Sequence, residues 1–268
     1  MATVDVRDVP VVEPTMLDVA GSPVALRRRG EGRPVLFLHG AGFTGKWLRF
    51  HEALAQGADL IAPEHVGFGA SPLQDWLDGF DDLVLHYDDL RAQLGLDEPF
   101  DLVGYSLGGW IAALYAIYYP DRIRSLTLIT PAGYPLEGDS VVDLFHMYPD
   151  ELFATIFNDA TNMGEVAGDP NDIDVAVKGY EEASTTARLV WERRDDPKMP
   201  RRLRRVTCPA LVVGAENDRL VPDAAVDEYA AALPHGESVR IPGTGHALVV
   251  EQPAAVAKAI LDFQERVR

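Results

Sequence analysis

Apolar residues along the chain follow two alternating patterns. Short continuous apolar runs occupy residues 35–38, 60–62, 102–103, 126–129 and 211–213, and a run without polar alternates suits a strand buried on both faces. Between several of these runs, over 47–54, 83–94, 107–119 and 224–233, apolar positions recur at helical spacing. Beyond Pro253 the positions Val256, Ile260, Leu261 and Phe263 predict a last helix packed on the sheet. Buried strands alternating with helices imply right-handed crossovers and a mostly parallel central sheet with flanking helices, the α/β class. At the N-terminal side, 15–19 and 23–28 flank Ala20-Gly21-Ser22 and predict an antiparallel hairpin at one sheet edge.

One stretch breaks the alternation. From 133 to 205 the sequence offers helix-compatible pieces at 141–147, 152–157 and 181–194 and no strand pattern. The expected organisation is therefore a core of residues 1–132 and 206–268 with a helical insertion, 133–205, over the sheet. Phe145, Met147, Tyr148, Phe153, Phe157 and Trp191 either line a substrate pocket there or hold the insertion to the core, and packing is the ordinary role of each. Arg201, Arg202, Arg204 and Arg205 sit where the insertion rejoins the core and read as a solvated hinge face pairing with nearby acids.

Composition narrows the class of partner. With 268 residues, 47% hydrophobic and 25% charged, the chain fits one large domain with room for an inserted subdomain. A formal net charge of -18 repels phosphate backbones and anionic headgroups, so nucleic acid is not an expected partner. No stretch is long and apolar enough to span a bilayer, and the first residues lack a basic segment followed by an apolar one. No membrane insertion and a cytoplasmic location are the expectation. Cys208 is the single cysteine and reads as a buried structural thiol.

Candidate chemistry centres on Ser106. A serine hydroxyl is a poor nucleophile at neutral pH unless a base reaches it and amides receive the developing oxyanion. The apolar Asp101-Leu102-Val103 runs into Gly104-Tyr105-Ser106-Leu107-Gly108, and a long apolar helix follows at once. Small residues two positions either side of Ser106 permit a sharp turn, and the helix start sets unpaired N–H groups beside the hydroxyl. The Leu107 amide, next after Ser106, is the first oxyanion donor this geometry offers. A base and an acid should follow at the carboxyl ends of later strands. Residues 211–214 run into Ala215-Glu216-Asn217-Asp218, with Asp223 further on, and 238–242 run into Gly243-Thr244-Gly245-His246. The order serine, acid, histidine is that of an elbow-type serine hydrolase. His51, His65, His86, His146 and His235 lack the post-strand Gly-x-Gly-His setting and read as surface or packing residues.

Taken together, His39-Gly40 after a strand, the Gly104-x-Ser106-x-Gly108 elbow, the late aspartate and the late histidine resemble the α/β-hydrolase superfamily over nearly the whole chain. The resemblance implies Asp218, rather than Glu216 or Asp223, as the acid orienting His246, and residues 133–205 as a helical cap with the pocket between cap and Ser106. It also implies the amide of Ala41, or less readily that of Gly42, as second oxyanion donor, with His39 bonding the loop. Residues 63–71, Pro-Glu-His-Val-Gly-Phe-Gly-Ala-Ser, resemble a structural family signature that usually opens Pro-Asp and carries Arg at the position of Val66.

The implied activity is cleavage of a small-molecule carboxylic ester through an acyl-serine, without metal or organic cofactor. Haloalkane dehalogenases and epoxide hydrolases of this fold need a carboxylate where Ser106 stands. Carbon–carbon bond hydrolases share the triad but usually carry Pro-Gly in the oxyanion loop and an aromatic residue after the histidine, where this chain has Phe43-Thr44 and Ala247. Lactone hydrolysis, perhydrolysis and a small-molecule receptor built on the same fold remain alternatives.

Overall fold

The computed structural model describes residues 9–136, 142–169 and 171–267. Each apolar run forms a strand, and one sheet collects them all: β1 (Thr15–Val19), β2 (Ser22–Arg29), β3 (Pro34–Leu38), β4 (Asp59–Pro63), β5 (Phe100–Tyr105), β6 (Ile123–Ile129), β7 (Ala210–Ala215) and β8 (Gly236–Ile241). The order is β1-β2-β4-β3-β5-β6-β7-β8. The expected hairpin β1–β2 lies at one edge, and β2 also pairs antiparallel with β4. Every pairing from β4 to β8 is parallel.

Helices cover both faces. In chain order they are α1 (Arg49–Ala55), α2 (Phe80–Gln93), α3 (Leu107–Tyr118), α4 (Pro149–Ile156), α5 (Ile173–Val190), α6 (Met199–Arg202), α7 (Asp223–Ala232), α8 (Leu248–Glu251) and α9 (Pro253–Arg266). Alternate residues of each central strand enter separate cores. Leu36, Leu38, Leu102, Leu128 and Val212 pack with apolar residues of α2, α3 and α7, whereas Val35, Phe37, Val103, Leu211 and Val213 pack with those of α1 and α9. Because both faces are covered, the strands need no polar alternates, which is why they read as continuous runs. Cys208 is buried, and burial pushes its thiol up to about 12.

Beside the second core, His51 accepts the Leu48 N–H on Nδ1 at 3.1 Å and is held neutral, its pKa lowered to about 3 chiefly by burial. An unfolded chain protonates this histidine near pH 6.5. As pH falls below that value the unfolded state takes up a proton the native state refuses, so stability is full above about pH 6.5 and drains away toward pH 3. At pH 5 the loss from His51 is about 2 kcal/mol. His51→Asn keeps an acceptor for Leu48 without the titration. Urea denaturation at pH 8 and pH 5 should show the variant losing about 2 kcal/mol less than wild type between the two; equal losses would assign the acid sensitivity elsewhere.

Residues 133–205, the expected insertion, are bonded to the rest of the chain at several places. Within the stretch, Gly133 bridges Asp195, and the Asp196 N–H donates to the Gly133 carbonyl at 2.9 Å, which brings residue 133 beside residues 195–196. Along α5, Glu182 accepts from Thr44 and from the Gly69 N–H, Thr185 donates to the Gly67 carbonyl, and Arg188 donates to that of Leu77. Those partners belong to the loop after β3 and to the stretch leading from the Gly-rich signature toward α2. A further tie, at the end of α4, concerns the site and is described below.

Two local expectations change. Instead of a helix at 181–194, α5 begins at Ile173, capped by the Asp172 carboxylate on the Asp174 N–H at 2.9 Å, and ends at Val190. Its first turns were hidden because Ile173, Val177 and Tyr180 face outward and mark no buried stripe. The piece at 141–147 is a single 3₁₀ turn, Leu144–His146, started by Asp143, with Val141 outside the described residues. Of the apolar side chains weighed for the insertion, Phe157 is buried and Phe153 packs beside it, Met147 is half-buried, and Tyr148 and Trp191 are exposed. Phe145 lines the cavity that holds Ser106. In the basic cluster, Arg202 pairs with Asp196 at 2.7 Å and Arg205 donates to the Ile117 carbonyl.

Candidate active site

The turn from β5 into α3 puts Ser106 at φ 53° and ψ −113°, a backbone setting that disfavours any residue with a Cβ. Surrounding backbone enforces it. The Ser106 N–H donates to the Ile129 carbonyl at 2.9 Å, and the Ser106 carbonyl accepts from Trp110 at 3.2 Å and Ala132 at 3.1 Å. Such a turn fits only if its flanks are bare. A Cβ on Gly104 would stand 2.3 Å from the Gly108 carbonyl oxygen, and one on Gly108 would stand 2.2 Å from that of Leu38. This is the physical reason for glycine two positions either side of the serine.

Loops after β7 and β8 bring the other two side chains to Ser106. His246 Nε2 lies 2.8 Å from Ser106 Oγ, and its Nδ1 lies 2.9 Å from Asp218 Oδ2. The second carboxylate oxygen of Asp218 accepts the N–H groups of Leu220 and Val221 at 2.8 Å each. Burial alone would raise the Asp218 carboxyl, but the His246 ring and those two amides outweigh it and hold the group below its ordinary value. The neighbouring acids are engaged elsewhere. Glu216 accepts the Gly243 N–H at 2.8 Å, and Asp223 pairs with Arg240. None of the remaining histidines hydrogen-bonds Ser106: His39, His51, His65 and His86 are buried in the core, and His146 and His235 lie at the surface.

Ala41 and Leu107 line the same cavity as Ser106. Leu107 is the first residue of α3, where amides have no partner within the helix. The Gly42 N–H bonds the Gly40 carbonyl at 2.9 Å, which separates it from the neighbouring Ala41 amide as a donor. The cavity measures about 110 Å³. Its walls are mainly apolar, from Leu136, Phe145 and Val190 of the insertion and Leu220 and Val221 of the core; Arg194, paired with Asp143 at 2.5 Å, brings a cation to it. Among the described residues, no group of three or more His, Cys, Asp or Glu side chains is placed to hold a metal ion, and no helix is long and apolar enough to cross a membrane.

A family model described as "Alpha/beta hydrolase family" matches residues 35–259. The chain belongs to the alpha/beta hydrolase family. Its relatives include the 2-hydroxy-6-oxo-6-(2'-aminophenyl)hexa-2,4-dienoic acid hydrolase of Metapseudomonas resinovorans, 26% identical over 251 residues, the match covering 88% of this chain and 86% of that one. Human monoacylglycerol lipase ABHD6 is 25% identical over 262 residues, 88% of this chain and 76% of the lipase. Among solved structures, a meta-cleavage product hydrolase from Pseudomonas fluorescens superposes with a TM-score of 0.78 at 19% identity, covering 96% of this chain and 99% of its own, and shares the fold.

Within this alpha/beta hydrolase, the loop carrying His246 is held by residues the sequence did not single out. Tyr105, just before the serine, donates its hydroxyl to the His246 carbonyl at 3.0 Å. Ile156, at the end of α4, accepts the Ala247 N–H at 2.8 Å. Glu251 accepts the Gly245 N–H on one carboxylate oxygen and the Asn158 and Asp159 N–H groups on the other. The insertion thus grips the histidine's loop. A tyrosine before the serine was a visible signal; Glu251 and Ile156 gave none, because their roles depend on contacts across the fold.

Proposed function

We propose that this hydrolase cleaves a small-molecule carboxylic ester through an acyl-Ser106 intermediate, with Asp218 and His246 completing the triad. The observation that carries the reading is the unbroken chain from Ser106 Oγ through His246 to Asp218, at 2.8 and 2.9 Å, facing a mainly apolar cavity. Ser106 Oγ attacks the ester carbonyl carbon as His246 Nε2 takes the hydroxyl proton, and the carbonyl electrons move to an oxyanion. The N–H groups of Leu107 and Ala41 receive that charge. Collapse breaks the bond to the alkoxy group, which leaves with the proton from His246. Water, deprotonated by the same nitrogen, then attacks the acyl carbon; collapse of the second tetrahedral intermediate breaks the acyl–Oγ bond, His246 returns the proton to Ser106 Oγ, and the acid is released. Asp218 holds Nδ1 protonated and stabilises the imidazolium. Residues 133–205 act as the cap that closes the acyl pocket.

Cavity size sets a limit on the substrate. At about 10–15 Å³ per water-sized occupant, 110 Å³ accommodates roughly seven to eleven non-hydrogen atoms. In a p-nitrophenyl ester series, kcat/KM should peak at acyl chains of about four to eight carbons and fall at least about tenfold by twelve. A flat profile out to sixteen carbons would refute a closed pocket.

Carbon–carbon hydrolysis is the second reading, favoured by one observation. Arg194 lines the cavity, and a dienoic acid of the kind named for the Metapseudomonas relative would bring a carboxylate to that guanidinium. Against it, Asp143 already pairs with Arg194. Turnover of a 2-hydroxy-6-oxo-dienoic acid measured beside the ester series, with Ser106→Ala as control, decides between them.

A further inference from the structure

Behind the proposed oxyanion loop two histidines lock one another. The His65 N–H donates to His39 Nε2 at 2.9 Å, and His65 Nε2 donates to the His39 carbonyl at 2.7 Å. Their rings lie 3.7 Å apart. His39 Nε2 must therefore accept, which leaves the proton on Nδ1, where it is directed to the Gly40 carbonyl at 2.6 Å. With Nε2 of His65 donating, its Nδ1 accepts the Tyr87 hydroxyl from α2. Both rings are buried, and burial lowers both pKa values, so the neutral forms this pattern needs are the ones present.

The end of this relay matters because of what shares a peptide with it. The Gly40 carbonyl and the Ala41 N–H belong to one peptide unit, which is trans. In a trans unit the N–H points opposite to the C=O. Two donors, His39 Nδ1 and the Gly42 N–H, hold the carbonyl from one side. The Ala41 N–H is thereby turned the other way, and Ala41 lines the cavity with Ser106 and Leu107.

We propose that His39, fixed in one tautomer by His65 and Tyr87, is a positioning residue that aims the Ala41 amide at the oxyanion. The proposal rests on the acyl-serine reading. It assigns to His39 no contact with substrate and no proton transfer, only the orientation of one peptide plane.

Two polar substitutions separate the functions of the ring. His39→Asn sets an amide donor near the position of Nδ1, in reach of Gly40, whereas His39→Gln sets its amide near the position of Nε2, in reach of the His65 N–H alone. Loss of one oxyanion donor costs about 10²–10³-fold in kcat. His39→Gln is expected to lose about 30- to 100-fold in kcat with KM within about twofold of wild type, and His39→Asn to stay within about fivefold. Tyr87→Phe, which removes one hydroxyl and preserves the ring, is expected to lose about threefold.

The diagnostic readout is the Ki of an alkyl trifluoromethyl ketone, which forms an oxyanionic hemiketal with the serine. In every variant Ki should rise by the same factor as kcat/KM falls. Equal kcat for His39→Asn and His39→Gln, or a wild-type Ki beside a reduced kcat/KM, overturns the proposal, as does a Tyr87→Phe protein in which only thermal stability falls. Ser106→Ala is assayed in parallel. If that variant keeps kcat within about tenfold of wild type, the acyl-serine reading fails; if its kcat falls by about 10⁴-fold and His39→Gln has wild-type kcat and Ki, the positioning role alone fails.

Discussion

Replacing Ser106 with alanine is expected to lower kcat for p-nitrophenyl butyrate by at least about 10⁴-fold and to abolish labelling by a fluorophosphonate probe. Ser106 Oγ is the atom bonded to His246 Nε2, and removing it takes the proposed nucleophile away from the proposed oxyanion donors, the amides of Leu107 and Ala41. Residual turnover above water should remain, because the cavity still binds and polarises the ester. Stability should hardly change, since alanine inherits the same φ of 53° at the elbow. Ser106→Gly is instructive beside it: glycine accepts that φ without the Cβ penalty. It should be equally inactive and at least as stable as Ser106→Ala by thermal melting. Ester turnover within about tenfold of wild type, or labelling of another residue, would remove Ser106 from the reaction.

Asp218→Asn should cost about 10³- to 10⁴-fold in kcat with little change in KM, through the tautomer of a different residue. The Leu220 and Val221 N–H groups both donate to one oxygen of Asp218, so an asparagine must turn its own oxygen toward them. Its NH₂ then faces His246 Nδ1, which has to accept. The ring proton moves to Nε2, and Nε2 becomes a donor to Ser106 Oγ where a proton acceptor is needed. Side-chain volume is conserved, so the fold should persist. Asp218→Ala, which lets water reach Nδ1, is expected to be less impaired at high pH than the asparagine variant. An Asp218→Asn enzyme within about tenfold of wild type would show that another group orients the histidine.

How far the sequence disclosed this arrangement depended on whether a residue acts through its neighbours in the chain or across the fold. Strands β3 to β7 were visible because burial on both faces removes polar alternates, and β1 and β2 were visible through the turn between them. Ser106 was visible because its turn demands glycine at 104 and 108, a requirement written within five positions. Asp218 had to be separated from Glu216 and Asp223 by family resemblance, and the geometry shows what pattern could not: Glu216 braces the Gly243 backbone and Asp223 faces Arg240. The early turns of α5 escaped notice since their apolar residues are exposed. The His39–His65–Tyr87 relay was legible only as a loop-bonding histidine, as its three members come from separate elements.

The grip of Ile156 and Glu251 on the loop of His246 bears on modularity. An insertion that merely roofed a cavity would be exchangeable, and a foreign one grafted between the same two ends would alter substrate preference while sparing the chemistry. Here the backbone at 156–159 is bonded to Ala247 directly and to Gly245 through Glu251. Any graft must therefore bring a carbonyl and a pair of amides to those places, matched to a carboxylate at 251. A graft lacking them would leave the Ala247 N–H and one oxygen of Glu251 without these partners.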